Sequence, residues 1–160
     1  MREILFRGKR MDNGEWVEGY VFDNDFSDDK RYFVGSLVIE PNGGSKSYDF
    51  DITGVNFCEV DPETICQYTG LIDKNGNLIL ENDIVKFEDC GEEGYEYKEG
   101  FDFDNKARVE FTEGRWSLTD FVSDNSAVID EMYNHAQFMN LWGECEVIGN
   151  VFDNPELLEV

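Results

Sequence analysis

Residues 57–85, FCEVDPETICQYTGLIDKNGNLILENDIV, decide the fold, because short apolar runs alternate in them with polar turns. The runs Leu71-Ile72 and 78–80 flank the segment Asp73-Lys74-Asn75-Gly76, and asparagine and glycine accept the positive φ of tight turns. A second turn at Asn82 leads into Ile84, since asparagine tolerates the left-handed region almost as glycine does. This order of apolar run, turn, acid and apolar pair is typical of small SH3-like barrels.

Runs of β-branched and aromatic residues of the same kind occur along most of the chain. Asp12-Asn13-Gly14 and Asn42-Gly43-Gly44 are predicted turns, and residues 88–105 are predicted to form a long solvated loop or an irregular hairpin. We therefore predict a mainly β fold of short antiparallel strands that form an SH3-like or related small barrel. The predicted strands are residues 4–7, 15–22, 32–39, 57–60, 84–87, 107–111, 116–118 and 144–151.

One segment, residues 126–140, has a helical pattern instead. Its apolar residues recur at steps of three and four, as on the buried stripe of a helix. We predict one helix near residues 126–140, capped by Asp124, Asn125 or Ser126, and a further helical turn that begins at Asn154-Pro155. The residues of the stripe are Val128, Ile129, Met132, Tyr133, Ala136 and Met139.

The size and composition of the chain fit one globular domain. Its 160 residues, 41% hydrophobic and 14% aromatic, are enough to bury about two-thirds of the surface of the unfolded chain. We find no internal repeat, and we expect a single domain over residues 1–160. If the domain has a seam, we expect it near residues 45–58.

The charge of the chain limits its partners. With 36 acidic and 13 basic residues the formal charge is −23, which repels phosphate backbones and anionic lipid. We therefore expect no direct nucleic-acid binding and no membrane binding. The same charge raises the alternative of an acidic decoy that mimics DNA, although about one net charge per 360 Å² is roughly threefold more dilute than on duplex DNA.

The charge is uneven along the sequence. Residues 81–104 contain ten acids and two lysines, whereas the first ten residues contain four basic residues and one acid. We expect the basic amino terminus to pair with acids of its own chain or of a second subunit in a homo-oligomer. The residues that we predict for protein contact are Arg2, Arg7, Glu88, Glu92, Glu93 and Glu96.

No pattern for catalysis, metal binding or cofactor binding stands out. The four cysteines lack a CxxC spacing, and His135 is the only histidine, so neither a zinc site nor a Cys–His nucleophile is expected. The sequence contains neither a phosphate-binding loop nor a dinucleotide fingerprint. It also lacks an apolar run long enough for a membrane span. We predict a cytosolic protein with reduced thiols and without catalytic residues, metal or cofactor.

Three blocks of this sequence resemble the YopX family of phage and prophage proteins. They are Arg2-Glu3-Ile4-Leu5-Phe6-Arg7, the segment from Gln67-Tyr68-Thr69-Gly70-Leu71 through Val85, and EVIGNVFDNPELL at residues 146–158. Family members often have glycine where Asn82 stands, and residues 86–145 match no part of the family pattern. The resemblance implies a phage or prophage origin, a mainly β fold and residence in a bacterial cytoplasm, and it implies no catalytic residue.

The sequence leaves the function unknown, with three hypotheses. The first is a non-enzymatic accessory protein that acts by protein–protein contact through an unidentified partner. The second is the acidic decoy of a DNA-binding protein, and the third is an enzyme with an unrecognised site.

Overall fold

The computed structural model describes residues 4–24, 29–41, 50–91, 103–124 and 126–159. The chain divides into two compact units, Met1–Gln67 and Tyr68–Val160. The expectation of a single domain stays a prediction.

The first unit is an antiparallel sheet with strand order β4-β3-β2-β1. Next to β1 lie Cys66 and Gln67, the first two residues of β5, which pair with Arg7 and Phe6. A short 3-10 turn, Pro62–Thr64, precedes β5. The strands are β1 (Phe6–Lys9), β2 (Trp16–Asp23), β3 (Tyr32–Pro41), β4 (Phe50–Val60) and β5 (Cys66–Ile72).

This sheet curls until its first and last strands meet at one end. Arg10 forms an isolated bridge with Val60, and Met11 N donates to Glu59 O at 3.0 Å. The curl encloses Val34 and Val60, which are fully buried. Close approach is possible because β1 has a glycine, Gly8, where a Cβ would lie 3.1 Å from the Val60 Cβ.

The second unit contains the remaining strands and both helices. The rest of β5 pairs with β6 (Leu78–Leu80), and a four-stranded antiparallel sheet has the order β10-β7-β8-β9. The hydrophobic core lies between one face of this sheet and the helices, with Val85, Val109 and Phe138 almost fully buried. The elements are β7 (Asp83–Asp89), β8 (Phe103–Thr112), β9 (Arg115–Thr119), α1 (Val128–Glu131), α2 (His135–Leu141), β10 (Glu146–Asn150) and a 3-10 turn at Pro155–Leu158.

The prediction of a mainly β fold of antiparallel strands is confirmed. The prediction of one helix over residues 126–140 is wrong in its continuity, because two short helices are separated at residues 132–134. Asn134 has φ −95° and ψ 84°, outside the helical region, so the apolar stripe is divided between two axes. Of the predicted caps, Ser126 accepts from Val128 N at 3.2 Å, while Asn125 lies outside the described residues.

The predicted turns are also found where the structure describes them. Gly14 and Asn82 have φ of 73° and 65°, and the register of β10 shifts between Val147 and Gly149. The turn predicted at residues 42–44 lies outside the described residues. Among the helices of the described part of the chain, none has the length and apolarity needed to cross a membrane.

Candidate functional site

The convex face of the first unit's sheet is unusually aromatic. Directly paired residues of neighbouring antiparallel strands lie on the same face of a sheet. The register therefore places on one face, opposite to the buried Val34, a set that we call the outer face. It comprises Arg7, Lys9, Trp16, Glu18, Tyr20, Phe22, Phe33, Leu37, Phe57 and Glu59.

Several of these apolar side chains are open to solvent. Tyr20, Phe22 and Leu37 expose 55%, 41% and 38% of their surface. Phe22 packs edge-on against Phe57 with ring centroids 4.6 Å apart. The strand between them carries Gly35, so no side chain of β3 stands at that position between the two rings. A row of aromatic rings thus crosses three strands of the outer face.

Cations lie over these rings instead of extending into water. The Arg7 guanidinium and the Lys9 ammonium lie 4.7 Å and 5.3 Å from the Trp16 ring centroid, within the range of cation–π attraction. Arg31 lies 5.7 Å from the Phe33 ring and pairs with Glu59. Hydrogen bonding by Arg31 holds the pKa of Glu59 below its usual value. The outer face therefore combines apolar area with charges of both signs, since Glu18 and Glu59 lie on it as well.

A hollow of about 290 Å³ adjoins this face at the edge of β4. It is lined by Phe57, Cys58 and Glu59 of β4 and by residues 10–12 of the turn after β1. Met11 in this turn is 62% exposed. Arg10 is held by Asp12, with Nε 2.9 Å and Nη2 2.6 Å from the carboxylate oxygens, which raises the pKa of Arg10.

The backbone of β4 is open along this edge. Glu59 O accepts from Met11 N, so the main-chain groups of Glu59 point away from β3. Main-chain direction alternates along a strand, and the register of β4 is regular from Val55 to Glu59. The N–H and C=O groups of Val55 and Phe57 therefore point to the same open side, where no strand pairs with them among the described residues.

Comparison with known proteins identifies the family. A sequence model described as YopX protein matches residues 5–159, so the family match extends over residues 86–145, contrary to the expectation from the sequence. The chain belongs to the YopX family. No curated protein sequence matches this YopX chain. Among solved structures, that of protein EF1440 from Enterococcus faecalis is similar, with a TM-score of 0.56 and 24% identity over 99% of this chain and 100% of the other. That likeness shows a shared fold.

The second unit of the YopX chain contains the other described contact candidate, Glu88. It is exposed on β7 and lies on two hollows of about 260 and 320 Å³. Both hollows are also lined by Leu141, the last residue of α2, and by Glu144 in the turn that follows. In the second hollow, Lys86 pairs with Asp104 at 2.6 Å. Glu88 therefore lies in an acidic part of the surface.

A buried polar network lies beneath the first of these hollows. Asp89 accepts from Asn105 Nδ2 at 3.1 Å, from Ala127 N at 3.1 Å and from the Ser126 hydroxyl. Asp89, Asn105 and Ser126 are all at most 2% exposed. Because the Ser126 oxygen also accepts from Val128 N, its hydrogen bonds fix the start of α1, and the network is structural.

Of the contact residues predicted from the sequence, the structure describes two. Arg7 lies in the first unit and Glu88 in the second, while Arg2, Glu92, Glu93 and Glu96 lie outside the described residues. The sequence analysis missed Tyr20, Phe22 and Met11. The sequence of β2 did contain a signal for this face. Trp16, Glu18, Tyr20 and Phe22 alternate with Val17 and Val21, so both faces of the strand carry apolar residues.

Proposed function

We propose that this YopX protein is a phage- or prophage-encoded accessory protein of the bacterial cytoplasm that acts without catalysis, by protein–protein contact through its outer face. The observation that carries the proposal is the exposed row of Tyr20, Phe22 and Leu37 beside a Trp16 ring with cations stacked on it. Exposed apolar patches with charged borders mark interaction sites, and Trp, Tyr and Arg dominate binding energies at interfaces.

The environments of two reactive side chains, Cys145 and Asp73, further support a role in protein–protein contact over a catalytic role. Burial, together with the Asp73 carboxylate, raises the pKa of the Cys145 thiol to about 12, so this thiol is not a nucleophile near neutral pH. Asp73 itself is occupied by four hydrogen bonds from the chain. Neither group is placed to act on a substrate.

The decoy hypothesis has weaker support. The second unit carries 22 acidic and 6 basic residues against 14 and 7 in the first, so the negative charge is concentrated there. However, Asp83 and Asp89 of the acidic segment are buried. With 10614 Å² of accessible surface, the chain has about one net charge per 460 Å², against about 110 Å² for duplex DNA.

The test is capture of partners by the tagged protein from phage-infected or prophage-carrying cells, compared with the double variant Tyr20→Ser, Phe22→Ser. Tyr133→Ser is the matched control, because Tyr133 is 82% exposed in the second unit. We expect a partner that the double variant loses and the control keeps, at low and high salt and with excess duplex DNA.

Two results would contradict this proposal. Equal capture by the wild type and the double variant would remove the role of the outer face. Release by duplex DNA of a partner that the double variant still binds would instead support the decoy. Light scattering of the purified protein, run in parallel, decides whether a second copy is the partner.

A further inference from the structure

We infer that the partner binds by strand addition: an extended, basic segment of a partner protein pairs with the open edge of β4. This inference rests on the proposed function and specifies which part of the partner is recognised. Extended peptides add to exposed sheet edges through main-chain hydrogen bonds, and pockets for alternate side chains supply specificity.

The backbone of the first unit already begins such a ladder. Met11 N bonds to Glu59 O, and Asp61 N bonds to Lys9 O at 2.9 Å. The chain then turns away at residues 11–13, so the ladder stops while β4 continues. The next outward groups, those of Phe57 and Val55, offer two donors and two acceptors to an incoming strand.

Side-chain positions for the incoming strand lie on either side of this edge. At the point where the ladder stops, the hollow lined by Met11, Phe57 and Cys58 is wide enough for one apolar side chain. On the outer face, side chains of the added strand would lie beside Phe57.

Charge favours a basic segment. From residue 50 to residue 67 the sequence contains four acids and no lysine or arginine, and β4 itself carries Asp51 and Glu59. Arg10, which lines the hollow, is paired with Asp12, and Arg31 is paired with Glu59 of the same lining. The whole chain carries −23, and this charge opposes association with a second copy of the chain.

The probe is a six-residue peptide of alternating Lys and Val with blocked ends, and its controls are the same peptide with Glu for Lys and an N-methylated copy that cannot pair. The test variant is Val55→Pro. Its ring removes an N–H that points to the open side, so the bonds to β3 remain. Met11→Lys is a second variant, which places a positive charge at the hollow, and Met139→Lys is its control on the second unit.

We expect the Lys–Val peptide to protect the amides of Val55 and Phe57 from hydrogen exchange. Its affinity should fall about tenfold or more in Val55→Pro, since one lost main-chain hydrogen bond and the added ring cost at least about 1.4 kcal/mol. Met11→Lys should weaken binding in the same direction and Met139→Lys should not. If Val55→Pro fails to fold, the Met11→Lys comparison decides.

Three results overturn the inference. The first is that the Glu–Val or the N-methylated peptide binds as tightly as the Lys–Val peptide. The second is that both test variants bind the Lys–Val peptide as tightly as wild type, and the third is a dimer that Val55→Pro dissociates, which would make the occupant a second copy of the chain. Loss of the cellular partner in Tyr20→Ser, Phe22→Ser but not in Val55→Pro would refute strand addition and leave the proposed function standing.

Discussion

At the scale of single residues, two polar side chains stabilise turns that the sequence only marks as turns. Asn82 has a positive φ, and its Oδ1 accepts from Arg108 Nε at 2.9 Å and Nη2 at 2.6 Å. Asp73 accepts from Asn75 N, Asn77 N, Asn77 Nδ2 and Val147 N at 2.8 to 3.0 Å. Each side chain therefore connects its turn to a distant strand of the second unit.

Replacement of Asn82 separates backbone strain from hydrogen bonding. We expect Asn82→Ala to lower the free energy of unfolding by about 2 to 4 kcal/mol, because it combines a left-handed Cβ with the loss of two charged hydrogen bonds. Asn82→Gly should lower the free energy of unfolding by less, since glycine adopts the positive φ without strain and only the hydrogen bonds of the side-chain amide are lost. Urea denaturation of both variants measures the difference, and a larger loss for glycine would contradict this account.

The free energy of unfolding should depend on pH through the Asp73 carboxyl. Burial alone would raise its pKa, but the hydrogen bonds from Val147, Asn77 and Asn75 outweigh burial and hold the pKa below its usual value. A carboxyl with a depressed folded pKa stabilises the fold above its unfolded pKa, about 3.9, and this stabilisation is lost as the pH falls through the folded value.

The variant Asp73→Asn tests this dependence. We expect it to lower the free energy of unfolding by about 1 to 3 kcal/mol at pH 7. The difference from wild type should narrow as the pH falls below about 4, when the wild-type carboxyl takes up a proton. Urea titrations at pH 7, 5, 4 and 3 measure it, and a constant difference would show that the charge of Asp73 is not involved.

At the scale of elements, the sequence predicted the strands well where residues of the two faces alternate clearly along the chain or where a turn interrupts an apolar run. The hairpin around Asp73 and strand β3 are examples. It missed the length of β4, which extends back to Phe50 because pairing with β3 continues through Asp51, Gly54 and Asn56, residue types that are depleted in strands. It also missed the break at Asn134. The helical periodicity of the apolar residues continues past this position, although the structure divides the segment into two helices.

The close pairing of β3 and β4 makes Gly35 a sensitive position in the first unit. A Cβ there would lie 1.9 Å from Asn56 O, so the strands would have to separate. We expect Gly35→Ala to lower the free energy of unfolding by about 3 kcal/mol or more. Gly114→Ala is the control: it has a positive φ but open space, and should cost about 1 kcal/mol. Equal losses on urea denaturation would contradict the steric argument.

At the scale of the whole molecule, the excess of acids opposes folding as well as self-association. A net charge of −23 on 160 residues repels itself in the compact state, and dissolved salt screens this repulsion beyond about 10 Å at 0.1 M. The composition alone indicated this property, whereas the outer face could not be predicted from it, because exposure depends on which side of the curled sheet faces solvent.

Salt should therefore stabilise this protein. We expect Tm at pH 7 to rise by about 4 °C or more between about 0.01 M and 0.5 M sodium chloride, measured by calorimetry. The double variant Glu88→Gln, Glu144→Gln, which removes two exposed carboxylates, should have a higher Tm than wild type at low salt and an equal Tm at high salt. If the Tm of the variant exceeds that of wild type by as much at high salt as at low salt, the effect is local and not due to long-range repulsion. A Tm that falls as sodium chloride is added would show that ion pairs such as Lys86–Asp104 outweigh the net charge.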